Sequence, residues 1–236
     1  MNRRCEHESD SWTNPIARDL ATSGYSVLPN FLPGRTTIEA AAALGNPIDI
    51  SRFLPNSTRV QDLRPRDESD GSKNTYSGNF GRRAFPLHTD LAHWAVPPRY
   101  FLLRCVSGAN TVATLVLSWN ALAKSISRST LSRAIFRIRK PRSGFSTLRR
   151  AFSHHGEGEL FRWDSLFLIP HTSSASQLCT LMQSSIWEEI ARKVILQKPN
   201  DSILVDNWTT LHGRGPVTED QINRHLQRVY IGDLFQ

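Results

Sequence analysis

Apolar, β-favouring runs in the middle and near the end of the chain, with helical patterns around them, predict a mainly-β fold with peripheral helices, a β-sandwich or jelly roll. Three observations carry this. Tyr100-Phe-Leu-Leu-Arg-Cys-Val106 and residues 111–119 are consecutive strand-like runs. Ser202–Asp206 and residues 228–232 supply two more near the C-terminus. Helical patterning is confined to the N-terminal flank and to two stretches between the two groups of strands.

In chain order, residues 14–23 predict a helix and Tyr25-Ser-Val-Leu28 a short strand ended by Pro29. Residues 36–44 are Ala-rich and helical, with Gly45-Asn-Pro47 as the stop signal. The polar run 64–71 reads as an exposed loop. Gly108-Ala-Asn110 suggests a hairpin turn between the two central strands. A basic helical insert follows at about 120–158, then a strand-like segment at 160–170 and an amphipathic helix at 177–197. No repeat or linker interrupts the pattern, so residues 1–236 are expected to form one domain.

Composition narrows the function classes. The chain is 39% hydrophobic and 21% charged, ordinary for a globular protein. The first twelve residues are polar, without the apolar core of a signal peptide. No later apolar run approaches the roughly 20 residues of a membrane helix. A soluble, cytoplasmic protein is expected. Cys5, Cys105 and Cys179 are scattered with no C-x-x-C pair, which argues against a disulfide framework or a thiolate zinc site. The net charge of +8 favours anionic partners. Much of it lies between Lys124 and His155, which hold Arg128, Arg133, Arg137, Arg139, Lys140, Arg142, Arg149 and Arg150 and no acidic residue.

Chemistry enters at His88-Thr-Asp90. On a strand, residues two apart face the same way, so His88 and Asp90 can share a metal ion. A second histidine, His212, lies in Asp206-Asn-Trp-Thr-Thr-Leu-His212-Gly-Arg214. Two imidazoles and one carboxylate make a facial triad that leaves the opposite side of the metal open, and this donor set suits Fe(II).

Four segments then resemble the taurine dioxygenase and clavaminate synthase group of 2-oxoglutarate oxygenases. They are Pro86-Leu-His-Thr-Asp90, Ala113-Thr-Leu-Val116, residues 206–214 and Arg224-His-Leu-Gln-Arg-Val-Tyr-Ile231. The resemblance covers about residues 74–233. It implies a double-stranded β-helix (jelly-roll, cupin-like) core binding Fe(II), 2-oxoglutarate and O2. It implies catalytic metal ligation by His88, Asp90 and His212. It also implies oxidation, most simply hydroxylation, of an unactivated C–H bond in a small polar metabolite such as an amino acid or derivative. Related halogenases lack the carboxylate, so Asp90 argues against halogenation.

The resemblance also assigns the cosubstrate. Arg224, twelve residues after His212, matches the arginine that receives the distal carboxylate, a task suited to a planar guanidinium. Thr114 matches the threonine bonded to the same carboxylate, with Thr111 as competitor. Arg228 shares strand parity with Arg224 and is either a further cosubstrate or substrate contact or a partner for Asp206 or Asp233. Asn79, in a small-residue loop before the metal motif, and Trp94 after it are candidate substrate contacts. Trp163 and Asp164 read as structural. The chain is shorter than many relatives, and its basic stretch stands where a lid is common. Recruitment of an acidic or carrier-borne substrate is one reading of that stretch, and nucleic-acid binding is the rival class.

Overall fold

The computed structural model describes residues 10–54, 57–140 and 147–235. Two antiparallel sheets face one another. The larger has the strand order Tyr25–Leu28, Ser202–Asp206, Tyr100–Ser107, His225–Leu234 and Gly45–Pro47, with Gln61–Leu63 also paired to His225–Leu234. The smaller has the order Arg192–Val194, Thr114–Ser118, Thr210–Arg214 and Phe85–His88. The fold is the jelly roll that the sequence predicts.

Period-two alternation sorts the core into layers. In the larger sheet Phe101, Leu103, Cys105, Ile203, Val205, Leu226 and Tyr230 enter the space between the sheets. Leu102, Leu204, Val229 and Ile231 face the other way and pack on Ile16, Ala40, Ala41 and Leu44 of the N-terminal helices. In the smaller sheet Leu87, Leu115, Leu117 and Leu211 face outward, into a cluster with Trp119, Phe136, Phe161 and Leu178. Val116 faces inward. That parity decides which side chains can reach a common interior site.

Several local expectations hold. The first helix spans Asp10–Ser23, and Thr37–Leu44 is a helix capped by Thr36 and Glu39 in a reciprocal box. Others need correction. Gly45-Asn-Pro47 does end the helix, but it is itself a short strand paired with the C-terminal strand. Gly108-Ala-Asn110 is not a hairpin turn, because the strands it joins belong to different sheets. A Cβ on Gly108 would lie 1.8 Å from the Gln197 carbonyl oxygen, so glycine is needed there for close backbone approach. Residues 177–197 are not one helix. A helix at Ser173–Met182 and a short one at Ile186–Ile190 are followed by the strand Arg192–Val194.

The basic stretch is mostly extended rather than helical. Beyond the short helices Trp119–Leu122 and Arg128–Arg133 it forms the strands Ile135–Ile138, Leu148–Arg150 and Phe152–His155. Buried Phe136 and Ile138 alternate with Arg137 and Arg139 there, and that period of two outweighs the helix-tolerant arginines. Arg142 lies outside the described residues. Cys105 is buried and Cys179 partly buried, both as free thiols, while Cys5 lies outside the described residues. Among the described residues no helix is long and apolar enough to cross a membrane.

Candidate metal and cosubstrate site

His88 ends the Phe85–His88 strand directly opposite His212 on Thr210–Arg214. Their neighbours Leu87 and Leu211 face outward, so both imidazoles point between the sheets. Asp90 follows two residues later, but the strand has already ended and Asp90 lies in a turn. Strand alternation therefore does not place it. Asn207 does: its fully buried amide accepts from Asp90 N at 2.7 Å and donates to the carbonyls of Asp90 and Pro98, each at 3.0 Å. Thr89 is tied to Trp163, its N–H donating to the Trp163 carbonyl at 2.8 Å and its hydroxyl accepting from Trp163 N at 3.1 Å.

The turn beyond is clamped from outside. Leu91 adopts φ 55°, unfavourable for a leucine. Arg162 donates to the carbonyls of Ala92, Trp94 and Ala95, and Arg149 to those of His93 and Trp94. Burial, with a smaller contribution from Arg149, pushes the Arg162 pKa down to about 10.

Within this frame the ligand-type atoms converge. Asp90 Oδ1 is 3.7 Å from His88 Nε2 and 3.5 Å from His212 Nε2. One such atom from each of the three buried residues lies within 4.8 Å of the others. His88 Nδ1 is 2.8 Å from the Pro86 carbonyl, so Nδ1 carries a proton and Nε2 is the ring nitrogen turned toward Asp90. Burial, the largest effect on His212, lowers its pKa to about 4 against the pull of Asp90, so the ring is neutral near pH 7. Burial alone would raise the Asp90 pKa. The Arg228 charge and the two histidines outweigh it and hold the carboxyl well below the usual range. Two imidazoles and one ionised carboxylate, with no thiolate, fit a first-row divalent cation.

Asp90 Oδ2 is occupied separately, accepting from Arg228 Nη1 at 2.5 Å and from the Tyr230 hydroxyl at 3.0 Å. Arg228 also donates to Gln61 at 2.9 Å. Its acidic partner is thus Asp90, not Asp206, which pairs with Arg99 at 3.3 Å, nor Asp233. Tyr230, two residues on and on the same strand face, escaped the sequence reading although period-two spacing from Arg228 points to it.

Thr114 is buried at the start of its strand and shares parity with the inward Val116, opposite Arg214. Thr111 is exposed in the preceding link. Arg224 is 6% exposed and has no carboxylate partner among the described residues. Burial pushes its pKa down to about 10. Burial, then the Arg224 charge, does the same to Arg214. Arg214 donates to the carbonyls of Gly81 and Arg83 at 2.8 and 2.7 Å and stacks on Phe85 at 3.6 Å.

The two substrate candidates lie differently. Asn79, expected in a loop, lies in the short helix Ser77–Phe80 and turns its amide onto the preceding residues, donating to the carbonyls of Lys73 and Thr75. Trp94 is half-buried against Phe53 and lines an outer groove with Pro97, Pro98 and Trp208. Tyr76, immediately before the helix of Asn79, reaches the cluster instead. Its ring stacks on His88 at 4.0 Å, and its hydroxyl donates to Asp164 Oδ1 at 2.9 Å. Asp164 is 1% exposed, its pKa raised chiefly by burial, and Oδ1 also accepts from Leu166 N and Phe167 N.

A jelly roll whose inner wall carries two imidazoles and a carboxylate at this spacing is the architecture of the non-haem iron oxygenases. Residues 6–230 match the family model described as taurine catabolism dioxygenase TauD, TfdA family, and the chain belongs to that family. Among solved structures it is similar to asparagine oxygenase in complex with Fe(II), 2S,3S-3-hydroxyasparagine and succinate. The TM-score is 0.71 at 22% identity, covering 94% of this chain and 79% of that one. It is also similar to the non-heme iron oxygenase OrfP in complex with Fe, succinate and (3S)-hydroxy-L-Arg, with TM-score 0.67, 19% identity, and coverage of 94% and 78%. OrfP with Fe and alpha-ketoglutaric acid gives TM-score 0.68 at 18% identity, covering 94% and 79%.

Proposed function

We propose that this chain is an Fe(II)- and 2-oxoglutarate-dependent oxygenase, forming one domain, that hydroxylates an unactivated C–H bond of an amino acid or a close derivative. The observation that carries the reading is the convergence of His88, Asp90 and His212 within 4.8 Å on the inner wall of a jelly roll. His88 and His212 offer their Nε2 atoms, and Asp90 offers Oδ1 while Arg228 and Tyr230 retain Oδ2. Arg224 and Thr114 receive the distal carboxylate of 2-oxoglutarate, which supplies the anion that the buried guanidinium lacks. Fe(II), when bound, supplies dioxygen activation: one oxygen atom goes to the substrate C–H bond, the other to 2-oxoglutarate, which leaves as succinate and carbon dioxide. The protein's contribution is the ligand set, its orientation and a site closed to bulk water.

An amino-acid substrate is supported by the hydroxylated asparagine and arginine held by the similar structures. It is also supported by the buried Asp164, which forms no ion pair with a lysine or arginine among the described residues and lies beside the site. Nucleic acid is disfavoured, because much of the basic stretch is already engaged. Arg128 binds Glu159, Lys140 binds Asn74, and Arg139, Arg149 and Arg150 bind backbone carbonyls. The test is a screen of the common amino acids and their derivatives with Fe(II), 2-oxoglutarate and O2. A substrate is expected to raise succinate release and gain one oxygen atom by mass. Succinate release that no amino acid or derivative stimulates would overturn the substrate class, and failure to bind 2-oxoglutarate would overturn the reaction class.

A further inference from the structure

Tyr76 lies at the centre of a cluster of rings. Phe80, Phe85 and Phe167 approach it at 5.7, 5.6 and 6.4 Å. Its contact with His88 is closer and of another kind, at 4.0 Å between centroids and 19° between planes, a phenol lying flat on an imidazole.

The stack matters because of what else holds His88. The bond to the Pro86 carbonyl puts a proton on Nδ1, but one hydrogen bond and a tilted contact with the His212 ring, at 4.4 Å and 47°, leave the tilt of the ring soft. A tilt swings Nε2 away from Asp90, whose backbone is fixed independently by Asn207 and whose Oδ2 is held by Arg228 and Tyr230. A flat ring against the imidazole removes that freedom.

Packing alone would need only a phenylalanine. The hydroxyl adds a bond to Asp164, and that bond runs from the loop before the metal strand to the segment after Trp163. Trp163 is itself bonded to Thr89, between His88 and Asp90. Three separated segments therefore meet at the His88 ring. The loop carrying Tyr76 is a stiff platform: a Cβ on Gly78 would lie 2.1 Å from the Ser72 carbonyl oxygen, and Lys140 donates to Asn74 at 2.6 Å.

We infer that Tyr76 is a positioning residue for His88, its ring setting the tilt of the imidazole and its bond to Asp164 holding that ring in place. The inference rests on the reading of His88 as a metal ligand. Partners that orient a metal-bound histidine typically change metal affinity by about 10–100-fold.

The test is a titration of the metal-free protein with Co(II), whose visible ligand-field spectrum reports coordination geometry, with thermal unfolding of each metal-free variant as the control for folding. Tyr76→Leu, which removes both the stack and the hydroxyl, is expected to weaken Co(II) binding by about tenfold and to shift the spectrum. Tyr76→Phe keeps the ring and is expected to rescue most of the affinity, staying within about threefold of the parent. A folded Tyr76→Leu protein with parental affinity and spectrum would overturn the inference. If Tyr76→Leu does not fold, Tyr76→Trp decides: its larger ring must displace His88 and alter the spectrum, and an unaltered spectrum overturns the inference. His88→Ala run in parallel separates the two levels. Its binding Co(II) as the parent does would remove the ligand reading itself, whereas loss in His88→Ala with no change in Tyr76→Leu removes only the positioning role.

Discussion

Asp90 and Arg224 are both charged, both buried, and both on the inner wall of the sandwich, yet their surroundings differ. Asp90 is held at every polar atom that could misplace it: Asn207 fixes its backbone, and Arg228 and Tyr230 take one carboxylate oxygen. Arg224 has no carboxylate within reach among the described residues, and burial depresses its pKa to about 10. A charge buried without a partner costs stability and persists in a native fold where a ligand completes it. On the proposed reading, the metal end is preorganised by the protein and the cosubstrate end is completed by its ligand.

The sharpest way to break this contrast is to remove each arginine in turn. Arg228→Met leaves the Asp90 carboxylate buried without its guanidinium and is expected to destabilise the metal-free protein by roughly 3–5 kcal/mol in urea unfolding. Arg224→Met is expected to leave metal-free stability unchanged or higher, since it removes a charge that has no partner. The same change is expected to weaken 2-oxoglutarate binding by on the order of 2–5 kcal/mol, measured by anaerobic titration. Equal destabilisation by both substitutions would mean that Arg224 has a structural partner and that the contrast is false.

Smaller effects refine the two ends. Tyr230→Phe deletes one of two bonds to Asp90 Oδ2 and is expected to cost about 1–2 kcal/mol of stability, less than Arg228→Met because the charge remains paired. Thr114→Val is expected to cost about 1 kcal/mol in 2-oxoglutarate affinity, and the exposed Thr111→Val nothing measurable. A reversed order for the two threonines would move the cosubstrate's carboxylate away from the strand that faces Arg214.

What the sequence made legible follows the same division. Strand alternation placed the layers, and four spaced segments marked the positions that the fold brings to one wall. Sequence also matched Arg224 to an anion, because the resemblance to the oxygenase family sets a cosubstrate arginine twelve residues past the distal histidine. It did not show how Asp90 is placed, because Asp90 lies beyond the strand end and is set by Asn207, 117 residues away. Arg228 was open to three partners because parity gives the face of a strand and not what occupies the opposite wall. Tyr76 and Asp164 carried no periodic signal, since both lie in irregular segments whose meeting is decided by tertiary structure. The link at Gly108 looked like a hairpin because glycine serves a tight turn and a close backbone crossing equally well.

The central claim is that His88, Asp90 and His212 form one metal site. Its most direct test is anaerobic titration of the protein with Fe(II) in the presence of 2-oxoglutarate, followed by the visible charge-transfer absorption of the chelated keto acid. One Fe(II) per chain and a weak visible band are expected for the parent, with both lost in His88→Ala and Asp90→Ala proteins that remain folded. An undiminished band in either variant would contradict the account, because the ion would then be held somewhere other than by these three residues.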